Sequence, residues 1–218
     1  RNMEADTDKF RYVQKRPRHP HCHHRRRGAH IEASVFPGGD GMFDYKRHFD
    51  KYCSENNLEL KLSFDMPSGY ETANGTFDAE TKTVYVNAEY LCEAPDYEQA
   101  FFLYHELRHA MQYLSPGKFS DAIIRSLPYT IMFDGTCYKL VDGKYLECKL
   151  DGGEELFTDI YLGQPYEVDA NKYAYERVKL IYGDSEELRR LYDFWMPKKP
   201  VPDETYSAYY DLIDLKTK

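Results

Sequence analysis

The chain has 218 residues, 42% of them hydrophobic and 30% charged, enough to bury one sizeable core with appendages, a second small module being allowed but not required. Its formal net charge of -8 is unevenly spread: residues 1–30 carry 9 Lys+Arg against 3 Asp+Glu and the remainder 20 against 34, so a tail of about +6 precedes a body of about -14. No run approaches the roughly 18 apolar residues of a membrane-spanning helix, and no apolar stretch follows a basic start, so neither a membrane span nor a secretory signal is expected.

Residues 11–30 (RYVQKRPRHPHCHHRRRGAH) are basic, His-rich and nearly free of large apolar side chains. Such a segment cannot bury enough surface to offset the entropy of ordering, so residues 1–40 read as a mobile tail and linker. The sequence opens on Arg1 rather than Met, as a processed or truncated form would. His19, His21, Cys22, His23 and His24 are metal-binding residue types without a second ligand pair at a fixed distance, which favours adventitious capture over a folded site. Arg25, Arg26 and Arg27, with Arg16 and Arg18, are suited to phosphates or an acidic partner, although a solvated tail is the simpler reading.

The domain proper is expected over 41–218. Gly38, Gly39 and Gly41 lead to a helix over roughly 43–56, followed by an extended run at 58–64. Strands follow near Thr76 and Phe77 and at Thr83–Val86, forming a small, mostly antiparallel sheet. The next helix has Pro95 ahead of Asp96 as N-cap with Gln99 three residues on, and runs to Leu114 before Ser115, Pro116 and Gly117 stop it. After a mixed segment to Pro128, a hairpin over 131–150 turning at Asp142 and Gly143 sets Cys137 opposite Cys148 on a hydrogen-bonded rung. Five cysteines are an odd number for a disulfide framework. Two ordinary half-buried thiols are therefore favoured over a bridge, and a reducing, cytoplasmic setting is expected. A helix from Pro165 to Tyr182 closes on Gly183, Asp184 and Glu187 form a capping box for a helix ending at Met196 and Pro197, and a Tyr-rich helix spans 204–215. The fold class is α+β.

Residues 105–109 read His-Glu-Leu-Arg-His. Side chains at i and i+4 stack on one helix face, so His105 and His109 can reach one Zn2+, while Glu106 points at the water that such an ion binds. Ala100, Leu103, Leu107, Ala110, Met111 and Leu114 recur at helical spacing as an apolar stripe nearly opposite His105. Zinc hydrolases need a third protein ligand. The only other histidine outside the tail is His48, far upstream, so a downstream carboxylate is the economical choice. Glu167, in the first turn of a helix, leads over Asp169, because it shares a face with Ala170, Asn171 and Ala174, whereas Asp169 sides with Lys172 and Glu176, which suit solvent.

His-Glu-x-x-His followed by a helix reading Glu-x-x-Ala-Asn-x-aromatic-Ala resembles the gluzincin side of the zincin superfamily of metallopeptidases, and is most similar to the ImmA/IrrE-type regulatory peptidases. The resemblance implies a minimal zincin-like domain in which His105, His109 and Glu167 bind zinc and Glu106 is the catalytic general base on zinc-bound water. It also implies that Asn171 orients a zinc-bound imidazole, and that the substrate is a protein or peptide laid on an edge strand, here Thr83–Val86. The chain departs from that pattern at Arg108, where many relatives carry Gly, and in the 57 residues separating His109 from Glu167. This insertion holds the 131–150 hairpin, a candidate wall or lid. A donor to the oxyanion is also required, and Tyr113, Tyr166 and Tyr173 all qualify.

Two other functions fit parts of the sequence. A zinc-stabilised binding module without catalysis would not need Glu106. A nucleic-acid-associated protein led by the basic tail sits poorly with the acidic body.

Overall fold

Asp44 starts the first helix by accepting the Arg47 amide at 2.9 Å, and Tyr45, Phe49 and Tyr52 then fall on one buried face of α1 (Tyr45–Asn56). The computed structural model describes residues 43–218. The basic tail, with its His/Cys cluster and arginine run, lies outside the described residues.

Three short strands follow, β1 (Lys61–Ser63), β2 (Gly75–Asp78) and β3 (Thr83–Val86), in the order β1-β3-β2. β3 runs parallel to β1 and antiparallel to β2. Thr83–Val86 is therefore the central strand and not the expected edge. Its burial explains why: Thr83, Val84 and Val86 are buried, as suits a strand paired on both sides. β2 is the edge strand nearest the motif helix.

That helix, α2 (Asp96–Leu114), has Pro95 and not Asp96 as its N-cap. Pro95, in extended conformation, presents its carbonyl to the Glu98 and Gln99 amides, while the Gln99 side chain donates to the Ala94 carbonyl at 2.7 Å. Asp96 and Glu98 occupy the first turn, where the helix dipole favours negative charge. From Glu98 to Gln112 every residue except Arg108 is buried, so α2 is covered all round and not only along its apolar stripe.

A 3-10 turn (Pro116–Lys118) and α3 (Asp121–Ser126) fill the mixed segment. The expected hairpin is a three-stranded meander of β4 (Tyr129–Ile131), β5 (Thr136–Val141) and β6 (Lys144–Lys149). Asp142 and Gly143, at φ 50° and 75°, make a two-residue turn with positive φ at both positions, which matches strand twist. Cys137 accordingly faces Cys148, and both thiols are free. Burial pushes the Cys137 thiol up to about 12, which keeps it protonated and unreactive.

α4 (Glu154–Leu162) was not anticipated; α5 (Pro165–Tyr182) was, with Pro165 in its first turn and Gly183 at φ 88° closing it. α6 (Glu186–Phe194) is capped by Ser185, whose hydroxyl accepts the Leu188 amide at 3.1 Å; Asp184 is spent instead on Arg189. α7 (Asp203–Lys216) completes the α+β fold. Two hydrophobic cores result. The larger joins α1, the first sheet, α2, α5 and α6, and the smaller joins the meander, α4 and α7 around Phe157, Tyr206 and Ile213. Among the described residues no helix is long and apolar enough to cross a membrane.

Candidate metal centre

His105 and His109 stand one turn apart on α2, and α5 lies against that face. Ala170 and Ala174, fully buried, let the two helices approach closely. The approach brings Glu167, in the first turn of α5, to both imidazoles: its Oε2 lies 3.3 Å from His105 Nε2 and 3.7 Å from His109 Nε2, and the two Nε2 atoms are 2.9 Å apart. One ligand atom from each of the three residues falls within 4.8 Å of the others.

The other nitrogen of each ring determines what this cluster can bind. Asn171 donates its Nδ2 to the Trp195 carbonyl at 2.9 Å, so its Oδ1 is the atom facing His105 Nδ1, also at 2.9 Å. Gln112 donates its Nε2 to the Tyr166 carbonyl at 2.8 Å and to Asp169 at 2.9 Å, so its Oε1 faces His109 Nδ1 at 2.8 Å. Both amides thus accept an Nδ1–H, and in the neutral rings the Nε2 lone pairs are turned towards each other. Two converging lone pairs and a carboxylate repel unless a cation, a proton or a metal, sits among them. Two imidazoles and one carboxylate form a donor set that catalytic zinc uses, and it leaves a position open for water. The residues present therefore fit zinc.

The charges agree. Burial opposes ionisation of Glu167, but His109 and His105 overcome it and hold the carboxyl well below the usual carboxylate range. Burial likewise opposes a proton on His109, yet attraction to Glu167 lifts the imidazole to about 9. Glu106 is the opposite case: burial raises its pKa despite the two histidines. The Glu106 side chain packs on β2 at Gly75, where an added Cβ would lie 2.7 Å from Glu106 Cγ and 2.8 Å from the Tyr85 carbonyl. Sequence reasoning missed Gly75; a glycine opening a strand is the usual sign of a close backbone approach.

The remaining residues separate clearly. Asp169 does not face solvent as expected: Arg108 Nε and Nη2 grip its two oxygens at 2.7 and 3.0 Å. An in-plane guanidinium on the neighbouring helix draws the carboxylate inward, while Lys172 and Glu176 do remain exposed. His48 lies elsewhere, with its Nδ1 2.9 Å from the Tyr104 hydroxyl. Tyr173 packs edge-on against Tyr52 and under Arg108, away from the cluster. The Tyr166 ring centroid is 5.7 Å from that of His109, and the Tyr113 hydroxyl donates to the Leu127 carbonyl at 3.0 Å. Tyr70, ahead of β2, and Tyr145, on β6, were hidden among 21 tyrosines. Burial, with Tyr145 and Glu106 nearby, pushes the Tyr70 hydroxyl pKa up, so it stays protonated as a donor. Tyr145 is close enough to Tyr70 and Tyr113 to raise both hydroxyl pKa values, after burial.

No family model matches the sequence, no curated protein matches it and no solved structure matches the fold.

Proposed function

We propose that this chain is a zinc-dependent metallopeptidase with a zincin-like domain, akin to the ImmA/IrrE-type regulatory peptidases, acting on a protein or peptide substrate. The observation that carries the reading is the convergence of His105 Nε2, His109 Nε2 and Glu167 Oε2, with each Nδ1 committed to an amide oxygen. When bound, zinc supplies Lewis acidity, polarising the scissile carbonyl and acidifying water. Glu106, buried beside the cluster with a raised pKa, accepts the proton of the attacking water and returns it to the leaving amine. Tyr70, protonated and near Glu106, is a donor available to the developing oxyanion. The edge of β2 offers main-chain hydrogen bonds to an extended peptide beside Glu106. A cytoplasmic, reducing setting accompanies this reading, in keeping with an odd number of cysteines.

A purely structural zinc module would have no use for a buried carboxylate that is adjacent to the ligands yet outside the ligand set, which favours catalysis over the binding-module reading. The nucleic-acid reading rests on the tail. The test is Glu106→Gln, compared with the wild type by profiling newly formed N-termini across a proteome. The expected result is retained zinc and fold with cleavage lost by orders of magnitude. Equal cleavage by both proteins would remove Glu106 from the mechanism.

A further inference from the structure

Arg108 is the one residue of the central stretch of α2 that is not buried, and its contacts lead back to the metal centre. Its guanidinium lies between the rings of Phe119 and Tyr173, 4.5 and 4.7 Å from their centroids. This sandwich fixes the plane in which Arg108 offers its fork. Both fork hydrogens go to Asp169 at 2.7 and 3.0 Å, and the same Asp169 Oδ2 accepts Gln112 Nε2 at 2.9 Å. Gln112 Oε1 in turn faces His109 Nδ1 at 2.8 Å.

We infer that Arg108 and Asp169 are positioning residues that act on His109 through the Gln112 amide, a claim resting on the metal-site reading above. Gln112 is fully buried, so its amide cannot turn to water for compensation. Flipping the amide would point its oxygen at the Tyr166 carbonyl and the Asp169 carboxylate, two acceptors with nothing to donate. Asp169 thereby forces Oε1 towards His109. Arg108 forces Asp169: without the fork, a half-buried carboxylate has reason to swing to solvent, leaving one Gln112 N–H without its acceptor. His109 then holds its Nδ1–H and keeps Nε2 free for the metal. Arg108, a departure from the resembled pattern, is thus tied to Asp169, 61 positions away on α5, and through it to a ligand on its own helix.

The link is tested in the full chain by zinc affinity, with Zn2+ alone as probe in competition with a chromophoric chelator, on Arg108→Met, Gln112→Leu and their combination. Arg108→Met keeps the stem between the two rings and loses the fork. Gln112→Leu should weaken zinc by about 10- to 100-fold and Arg108→Met by about tenfold. The double variant should bind no more weakly than Gln112→Leu, because the effect of Arg108 passes through Gln112. A role in general stability would instead weaken zinc by the same factor in both backgrounds, and that result, or an Arg108→Met affinity within twofold of wild type, overturns the inference. If Arg108→Met fails to fold, as judged by circular dichroism, Asp169→Asn keeps the shape of the carboxylate and is read in the same cycle. Absence of zinc binding in the wild type would topple the metal reading itself, an outcome distinct from unaltered affinity in the variants.

Discussion

Glu106 and Gly75 meet where a single methyl group has no room. An alanine Cβ at 75 would lie 2.7 Å from Glu106 Cγ and 2.8 Å from the Tyr85 carbonyl, and because the latter is backbone, the side chain of Glu106 must yield. Gly75→Ala is expected to cost about 1–3 kcal/mol of stability as overpacking. It should also impair peptide cleavage out of proportion to that loss while zinc remains bound. Denaturant unfolding, zinc content and turnover read these three quantities separately, and unchanged turnover would show that the Glu106 position is not set by β2. At this scale the sequence was informative where the chemistry is local. His105, Glu106 and His109 are adjacent in one helix, and the choice of Glu167 over Asp169 followed from the 100° step. What it could not reveal is the pairing of Arg108 with Asp169, since a contact between residues 61 apart leaves no periodicity.

Helix ends show how local rules compete. Asp184 resembles the start of a capping box, yet Ser185 caps α6 and Asp184 binds Arg189 at 2.9 and 2.8 Å and accepts from the Tyr175 hydroxyl at 3.1 Å. The Arg189 hydrogen bond, helped by Tyr175 and Lys179, lowers the Asp184 pKa from 3.8 to about 2. A depressed acid contributes stability that is present above its ordinary value and lost as pH falls through the folded value. The Asp184 contribution to the α5–α6 junction should therefore be complete above 3.8 and be lost as pH falls from 3.8 towards about 2, and an NMR titration of the Asp184 carboxyl should give a midpoint near 2. A midpoint at 3.8 would mean that Arg189 does not grip it in solution. The long elements α2 and α5 and the Asp142-Gly143 hairpin were legible from period, proline, glycine and turn chemistry. α3 and α4 were not, because short helices carry too few turns for a clear period. Nor was the order β1-β3-β2, since strand order is decided by long-range packing.

In the molecule as a whole, the 57 residues between His109 and Glu167 are not a loose insertion. With α7 they build a core of their own around Phe157, whose ring fits against Gly135 and Gly152. Composition allowed a second small module beside one main body; where its core would lie was concealed because α7, which covers it, lies more than 50 residues further along the chain. The larger core grips α2 and α5, the two helices whose approach assembles the cluster. The proposed zinc site depends on this approach, and elemental analysis of the chain equilibrated with trace zinc and then dialysed reads it. Close to one zinc is expected per wild-type chain, and none retained in His105→Ala, His109→Ala or Glu167→Ala. A wild-type chain without zinc, or full zinc in those three variants, would contradict it.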